Sequence, residues 1–299
     1  MVIDVKQVII DTDPGTDDIL ALLMALNSPE LEVLGVTTVG GNATLSDTTR
    51  NTLMVLDYLG SDVPVYEGSP RPIDGCFQYA YHIHGSGGLD VGLPSPTSAV
   101  RSKPAFRYIC DVSKTYKGRM TIIALGPLTN LAMAIIADPR LVDDVCEVVI
   151  MGGVVGLPGN VTPFAEFNVY SDPRAARIVI DSGIPINLVG LDVTTRISVT
   201  EAELPWVFGD TDVAQLARCV IASSFEAPAS EGIYHLHDPL AVASVVRPSL
   251  MAYRESVLTV VVDGLQRGRT IPSWGNGSVR VATDVDVGPA KALVRNRLV

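Results

Sequence analysis

Short runs of aliphatic and β-branched residues alternate with longer segments of helical hydrophobic period along most of the chain. Residues 8–10 predict a strand, and residues 17–26 place five isoleucine and leucine side chains on one helical face. Residues 31–39 predict a second strand, which is followed by a helix that stops at Gly60. Such alternation is typical of parallel strands joined by helical crossovers.

The same alternation continues through most of the remaining sequence. Further strands are predicted over residues 63–66, 120–125, 145–151, 186–191, 256–262 and 278–282, and further helices over 104–116, 128–137, 173–181 and 287–298. We therefore predict an α/β fold, a mostly parallel, doubly wound, Rossmann-like sheet with helices on both faces. Because no repeat, linker or low-complexity tract interrupts residues 1–299, we expect a single domain.

One long segment departs from this alternation. Residues 68–104 contain eleven glycines and prolines and few periodic apolar residues. A connection of this length without secondary structure of its own is typical of a binding loop or a lid. We therefore expect residues 68–104 to form an active-site loop.

Composition and charge limit the possible partners. The chain has 47% hydrophobic and 18% charged residues, so it folds around a sizeable core. Its net charge of −11 would repel a phosphate backbone, which argues against nucleic acid as a partner. The longest apolar region, residues 120–137, is broken by polar residues, so no membrane partner is predicted. The N-terminus has no signal-peptide pattern, and we expect a cytoplasmic location.

Signatures of several common enzyme classes are absent from the sequence. It contains no GxGxxG, GxxxxGK[ST] or GxSxG motif, which removes the main support for dinucleotide-binding, P-loop and serine hydrolase interpretations. The four cysteines are far apart and form no CxxC pair. Neither a cysteine zinc site nor a disulfide framework is therefore predicted.

The sharpest candidate for chemistry is an acidic cluster between the first strand and the first helix. Four carboxylates fall within eight residues, namely Asp11, Asp13, Asp17 and Asp18. Two of them could be structural, with Asp17 capping the helix and Asp11 fixing the turn. Clustered oxygen ligands are what calcium or magnesium requires, and Pro14 and Gly15 supply a bend that lets acids converge. The cluster predicts a site for such a cation.

Other polar groups follow the predicted strands. Ligands of open α/β sheets bind beyond the carboxyl ends of the strands, where Asp13 and Asn42 are placed. The four histidines form two HxH pairs, 82 with 84 and 235 with 237. On an extended segment both members of a pair would point the same way, as zinc ligands do, so the pairs raise a histidine zinc site as the alternative. Glu166 and Asn168 flank Phe167 on a possible strand, so that both polar side chains share one face and suit sugar hydroxyls.

Several segments together resemble the inosine-uridine preferring nucleoside hydrolase family. The matching segments are DTDPGTDD (11–18), TTVGGNAT (37–44), HIHG (82–85), LGPLTNLA (125–132), VIMGG (149–153), GNVTPFAEFN (159–168) and HDP (237–239). They occur in the order found in that family and cover about four fifths of the chain. The resemblance implies a calcium-dependent enzyme that hydrolyses the N-glycosidic bond of ribonucleosides to free base and ribose. It also implies assembly as a homotetramer or homodimer.

The resemblance also implies roles for individual residues. Ca²⁺ would be held by the carboxylates of Asp13, Asp18 and Asp238 and by the backbone carbonyl of Leu125. Ribose would be bound by residues Asp17, Asn42, Asn160, Glu166, Phe167 and Asn168, with Met151 under the sugar. Asp13 would act as the catalytic base. His237, or alternatively His84, would protonate the departing base, because a histidine with its usual pKa of about 6.5 is a natural proton donor.

Two alternatives from other classes remain open at this point, together with the preferred nucleobase. A strand that ends in DxD is also similar to haloacid dehalogenase-like phosphatases, in which Asp11 and Asp13 would be the nucleophile and the acid. That family carries Thr or Val at the fifth motif position, where this sequence has Gly15. A non-catalytic, calcium-dependent nucleoside-binding protein would keep the metal acids and could lose the base or the acid. Purine and pyrimidine nucleosides are both possible substrates.

Overall fold

The computed structural model describes residues 5–89, 91–206, 209–226 and 232–299, with the backbone alone at 84, 86 and 206. The strands are β1 (Lys6–Thr12), β2 (Leu31–Thr38), β3 (Val65–Glu67), β4 (Met120–Ala124), β5 (Val145–Met151), β6 (Ile186–Val189), β7 (Ser198–Thr200), β8 (Ile233–His235), β9 (Met251–Val260), β10 (Thr270–Trp274) and β11 (Val279–Val285). The helices are α1 (Thr16–Leu26), α2 (Leu45–Tyr58), α3 (Tyr81–His84), α4 (Ala105–Thr115), α5 (Thr129–Ala137), α6 (Leu141–Asp144), α7 (Phe167–Ser171), α8 (Pro173–Ile180), α9 (Leu191–Thr194), α10 (Asp212–Glu226), α11 (His237–Val246) and α12 (Val287–Arg297).

The strands form one large sheet and one small ribbon. Over the described residues the large sheet has nine strands in the order β10-β9-β11-β6-β5-β4-β1-β2-β3. All neighbours from β11 to β3 are parallel, whereas β9 is antiparallel to both β10 and β11. Strands β7 and β8 pair antiparallel as a separate ribbon. The predicted single-domain, mostly parallel α/β sheet is therefore confirmed.

The core has two layers because successive side chains of a strand point to opposite faces of the sheet. In β1, Val8 and Ile10 pack in a cluster with α1, α10, α11 and α12, whereas Ile9 packs in a cluster with α4, α5 and α8. All three side chains are completely buried. Helices therefore cover both faces, and the polar groups of the sheet's central strands can be presented only at the strand ends.

Two local predictions are wrong. The segment around Phe167 is not a strand, because the Glu166 side chain accepts hydrogen bonds from the amides of Asn168 and Val169 and so starts helix α7. The first HxH pair is not extended either, since residues 82 and 84 lie in helix α3. The pattern also did not predict β10, α10 or α11, and β9 begins five residues before the expected strand.

Residues 68–104 contain little regular structure apart from α3 and a 3-10 turn at Ser86–Gly88. The beginning of this segment is hydrogen-bonded to side chains at the N-terminal ends of helices α5 and α8. Asn130 accepts a hydrogen bond from the amide of Ser69 at 2.9 Å, and Asp172 accepts one from the amide of Ile73 at 2.8 Å. No helix of the described residues is long and apolar enough to cross a membrane.

Candidate active site

The candidate site lies where the strand order changes direction. The chain leaves β1 towards β2 on one side, and β4 pairs with β1 on the other side. Two neighbouring strands whose connections run to opposite sides leave a crevice at their carboxyl ends. Asp13 follows β1 at this point, Leu125 follows β4, and Asn42 lies in the loop after β2. The structure therefore brings together the strand-end residues that the sequence pattern singled out.

Asp18 is the most firmly held acid of the site. It lies in the first turn of α1, and its Oδ1 accepts hydrogen bonds from the Thr12 hydroxyl and from the Asp13 amide, the latter at 3.2 Å. Its Oδ2 accepts from the Gly15 amide at 3.1 Å and from the Asn42 side-chain amide at 3.2 Å. These four donors fix the orientation of the Asp18 carboxylate at the start of the helix.

Asp13 is held on one oxygen only. Its Oδ2 accepts the backbone N–H of Asn42 at 2.7 Å, whereas its buried Oδ1 has no hydrogen-bond partner among the described residues. The side chain is 1% exposed. A buried carboxylate oxygen without a partner is costly, so it calls for a ligand that supplies charge or a proton.

Asp238 lies in the first turn of α11 and faces the same loop. Asp17, Asp18 and Asp238 each offer a carboxylate oxygen, and these oxygens lie within 4.8 Å of one another. This is the one group of such residues that could hold a metal ion in the described part of the chain, and it contains no histidine. The arrangement therefore favours an oxygen-ligated cation over a histidine zinc site. Asp17, assigned to the ribose on resemblance, lies in this group, whereas Asp13 lies outside it.

Burial raises the pKa of all four carboxyl groups. For Asp13 and Asp238 the pKa lies well above the usual range, with repulsion from Asp18 and from Asp17, respectively, as the second cause. The pKa of Asp17 rises to about 7, and that of Asp18 rises even though four donors hold its carboxylate. No lysine or arginine of the described residues forms an ion pair with this group. An external cation would therefore favour full ionisation of the group, and the set of hard oxygen donors fits calcium or magnesium.

Two glycines make room for the Asp13 carboxylate. A Cβ atom at Gly126 would lie 2.5 Å from Oδ1 of Asp13, and a Cβ at Gly41 would collide with Oδ2. The resemblance assigns Asp13 as the base, and on that assignment we expect Gly126→Ala to reduce turnover by about 10²-fold or more, because a displacement of about 1 Å at a catalytic group has that effect. The matched control is Gly288→Ala, where a Cβ would meet no atom within 4 Å. Equal turnover in the two variants, measured with uridine or inosine, would contradict a requirement for the present position of Asp13.

Asn168 connects the carboxyl ends of β4 and β5 at the site. Its side-chain Nδ2 donates to the backbone carbonyl of Leu125 at 2.6 Å and to that of Met151 at 3.2 Å. The Leu125 carbonyl, expected to be a metal ligand, thus already accepts one hydrogen bond, and a carbonyl oxygen has a second lone pair. Asn168 therefore positions two backbone groups that line the cavity.

Glu166, which is expected to bind the sugar, also holds the backbone around it in place. Its buried carboxylate accepts the amides of Gly153 at 2.9 Å, Asn168 at 2.8 Å and Val169 at 3.2 Å. Burial nevertheless raises its pKa, with these three hydrogen bonds acting in the opposite direction. Asn160 accepts the amide of Phe167 at 2.9 Å, which closes the same loop. The carboxylate keeps one acceptor position for a hydroxyl group of a ligand.

These residues surround a cavity of about 530 Å³, which is in the range of small-molecule sites. Among the predicted residues, its lining contains Asp17, Asn42, Leu125, Met151, Asn160, Glu166, Phe167, Asn168, His237 and Asp238. Asp13 and Asp18 are buried beneath this surface. His84 ends helix α3, and its side chain lies outside the described residues. Ten of the residues expected from the sequence therefore line a single cavity.

The cavity also has a wall that the sequence pattern did not assign. This wall consists of Thr16, Gln78, Tyr79, His82, Ile83, Val161, Tyr170, Ser224, Ile233, Tyr234 and His235. Tyr79, Ile83, Val161 and Ile233 are exposed hydrophobic side chains, and an exposed apolar cluster at a cavity is typical of a ligand site. The HxH spacing was the available signal for His82 and His235, whereas nothing in the pattern indicated Gln78.

Comparisons with known proteins agree with this geometry. Residues 8–292 match the sequence profile of the family described as inosine-uridine preferring nucleoside hydrolase. Uridine nucleosidase 1 of Arabidopsis thaliana is 39% identical, over 98% of this chain and 93% of the relative. The pyrimidine-specific ribonucleoside hydrolase RihA of Escherichia coli is 36% identical, over 97% of each chain. A solved structure, the purine-preferring ribonucleoside hydrolase from Gardnerella vaginalis, matches with a TM-score of 0.92 and 33% identity over 98% of each chain.

The match extends across the sheet, the acidic loop and the cavity wall. The profile begins within β1 and ends within α12, so it includes every predicted site residue. The sequence relatives and the solved structure are named as nucleosidases or ribonucleoside hydrolases, which are N-glycosyl hydrolases. The chain belongs to the inosine-uridine preferring nucleoside hydrolase family and is a ribonucleoside hydrolase.

Proposed function

We propose that this enzyme hydrolyses the N-glycosidic bond of uridine- or inosine-type ribonucleosides in a calcium-dependent reaction that gives free base and ribose. The observation that supports it most is a cavity whose lining combines buried carboxylates with exposed apolar side chains. A ribonucleoside has the matching polarity, with hydroxyl groups on the sugar and an apolar face on the base. The nucleoside is therefore oriented with its ribose towards Asp17 and Asp238.

Calcium is the proposed cation because the acidic group of Asp17, Asp18 and Asp238 offers carboxylate oxygens, the hard ligands that calcium prefers. Asp13, Asp18 and Asp238 would hold it by their carboxylates and Leu125 by its backbone carbonyl, with Asp17 within reach of the same cluster. Six to eight oxygen ligands are usual for calcium, so substrate hydroxyls or water would complete the set. When bound, calcium supplies a Lewis acid that makes a water molecule more acidic.

Asp13 is the proposed base. Its Oδ1 has no hydrogen-bond partner among the described residues and is available to accept a proton from a water molecule that attacks the anomeric carbon. The surrounding carboxylates then stabilise the positive charge that develops on the sugar in the transition state. Asn42, Asn160, Glu166 and Asn168 would bind the ribose, with Met151 and Phe167 packed against it, and such positioning contributes several kcal/mol of barrier reduction.

His237 is the proposed acid, with His84 as the alternative. We expect His237→Ala to lower turnover of uridine or inosine by about 10² to 10⁴-fold, the usual contribution of general acid catalysis. A nitrophenyl riboside has a leaving group that departs without a proton, so the same variant should lose much less activity towards it. If both substrates lose activity together, the variant has disturbed the neighbouring Asp238, and the acid role moves to His84 or to solvent.

The loop formed by residues 68–104 is proposed to close over the bound nucleoside. Gln78, Tyr79, His82 and Ile83 from this loop line the cavity. We expect a ribose analogue to slow hydrogen exchange at the backbone amides of this loop, because closure would exclude water from them. Equal exchange with and without the analogue would refute the lid.

Further proposals concern the preferred nucleobase, the cellular location and the oligomeric state of the enzyme. A homotetramer or homodimer is proposed on the resemblance to the family, and a cytoplasmic location is proposed with it. The named relatives include uridine, pyrimidine-specific and purine-preferring enzymes, so we propose that both base classes be tested as substrates. Neither nucleic acid nor a membrane is proposed as a partner.

The activity is tested by incubating the protein with uridine, inosine and a phosphate monoester while measuring reducing sugar, free base and phosphate. We expect sugar and base in equal amounts and no phosphate. Phosphate release alone would favour the haloacid dehalogenase-like alternative, and binding without turnover would favour a nucleoside-binding protein. The family match supports the first outcome.

A further inference from the structure

Thr194 contacts the proposed acid from the protein interior. It is the last residue of helix α9, its side chain is completely buried, and its Oγ1 lies 2.7 Å from Nδ1 of His237. The family motifs noted in the sequence do not include it, and it does not line the cavity. Within the described part of the chain, its connection with the reaction therefore runs through the imidazole ring.

The donor and the acceptor of this hydrogen bond can be assigned from the hydrogen-bonding requirement of a buried hydroxyl group. A buried hydroxyl hydrogen without an acceptor is costly, and among the described residues His237 Nδ1 is the hydrogen-bond partner found for the Thr194 side chain. The hydroxyl therefore donates to Nδ1 when the imidazole is neutral. An imidazole nitrogen that accepts a hydrogen bond carries no proton, so the proton of the neutral ring lies on Nε2.

The same pair also accommodates the charged ring. In the imidazolium both nitrogens carry protons, and the hydroxyl can rotate so that its oxygen accepts the Nδ1–H. The proton on Nε2 is present in both states. Because the ring lines the cavity, Nε2–H is the proton that His237 can offer to a departing base, as a hydrogen bond or by transfer.

We propose that Thr194 is a positioning residue that fixes the ring orientation of His237 and keeps a proton on its Nε2. This inference rests on the proposed role of His237 in protonating the leaving group. Thr194 itself touches neither the cavity nor the acidic cluster.

Backbone contacts on both sides of the pair stabilise the distance between Thr194 Oγ1 and His237 Nδ1. The amide of Thr194 donates to the carbonyl of Gly190 at 3.1 Å. A Cβ atom at Gly190 would lie 2.7 Å from the carbonyl oxygen of Gly153, so α9 begins in close contact with the loop after β5. On the other side, the amide of Leu236 donates to the carbonyl of Ile197 at 3.0 Å. The segments that carry Thr194 and His237 are thus hydrogen-bonded to each other next to the β7–β8 ribbon.

The first test is the ¹⁵N NMR spectrum of the full-length, metal-loaded enzyme labelled at histidine, recorded where the imidazole is neutral, with a His237→Gln variant for assignment. We expect the His237 signals of a protonated Nε2 and an unprotonated Nδ1. In Thr194→Val both shifts should move towards the average of the two tautomers, whereas Thr194→Ser should retain the wild-type shifts. A protonated Nδ1 in the wild type, or unchanged shifts in Thr194→Val, would overturn the inference.

The second test compares substrates in the same variants. We expect Thr194→Val to lower turnover of uridine or inosine by about 10-fold to 100-fold, part of the range that general acid catalysis supplies. Turnover of a nitrophenyl riboside should change much less, and Thr194→Ser should restore the nucleoside reaction. If Thr194→Ser loses as much activity as Thr194→Val, the hydroxyl does not position the ring.

The two tests separate the inference from the function on which it rests. If the NMR shifts change as expected in Thr194→Val but both substrates keep wild-type turnover, Thr194 fixes the tautomer and His237 is not the acid. If the wild-type spectrum has the opposite tautomer while His237→Ala still distinguishes the two substrates, the acid role stands and Thr194 does not set it.

Discussion

Asp13→Asn is expected to reduce turnover of uridine or inosine by about 10² to 10⁴-fold through loss of the base alone. A further loss should follow because the substitution removes one of the negative charges proposed to hold the cation. This charge lies next to Asp18, the carboxylate that repels Asp13 most strongly. The variant should fold, because an amide oxygen can still accept the hydrogen bond from Asn42. Steady-state kinetics with both nucleosides, together with a thermal unfolding curve, measures both effects.

Asp11→Asn supplies a matched control two residues away. Asp11 is buried, and its Oδ1 accepts hydrogen bonds from Thr37 at 2.5 Å and from Asn130 at 2.7 Å. Unlike the pKa of Asp13, its pKa is not raised by repulsion from Asp17 or Asp18. Burial raises its pKa to about 6, so the amide resembles the protonated form of this carboxyl group. We expect this control to keep most of its activity. Wild-type turnover in Asp13→Asn, or an equal loss in both variants, would show that Asp13 has no special role.

Removal of divalent cations is expected to abolish nucleoside hydrolysis, and addition of Ca²⁺ is expected to restore it. The reason is electrostatic, because Asp13, Asp17, Asp18 and Asp238 face one another without a lysine or arginine partner among the described residues. Exhaustive chelation, with partial unfolding if the ion is held tightly, followed by readdition of Ca²⁺ or Mg²⁺ measures the effect. Full activity after verified removal of metal would eliminate the proposed role of the cation.

The metal-free protein should also have an unusual dependence of stability on pH. The pKa of Asp17 rises from 3.8 to about 7 on folding, so between these values the folded state binds more protons than the unfolded state. Its contribution to the free energy of unfolding is therefore present below the lower value and is lost as pH rises towards 7. We expect the melting temperature of the stripped protein to fall over this interval. Saturating Ca²⁺ should remove that fall, because the ion favours the ionised carboxylates.

The fold was largely predictable because the central strands are buried on both faces. β4 is the clearest case, since all five residues are buried and four of them, all except Thr121, are apolar. The antiparallel strands β9 and β10 at one edge of the sheet were harder to predict. In β9 buried and exposed residues alternate only in its second half, and β10 contains Pro272, so neither gave a complete strand pattern.

The site was predictable where chain order places residues at strand ends, as for Asp13 and Asn42. It was not predictable where a contact joins distant segments. The apparent strand around Phe167 is a helix because Glu166 accepts backbone amides, one of them from Gly153 thirteen residues earlier. The contact between Thr194 and His237 spans 43 residues, and no local pattern encodes it. Likewise, Asp17 belongs to the acidic group only because α11 brings Asp238 beside it, where the two carboxylates repel each other.

The most direct measurement determines bound calcium and nucleoside hydrolysis in the same samples. Metal-stripped enzyme would be reconstituted with increasing amounts of Ca²⁺, and each sample would be divided between elemental analysis and an assay of free base and ribose from uridine and inosine. We predict that turnover rises in proportion to calcium occupancy, from no activity in the stripped protein. Turnover that is independent of bound calcium, or full occupancy without release of base and ribose, would contradict the calcium-dependent reaction proposed for this site.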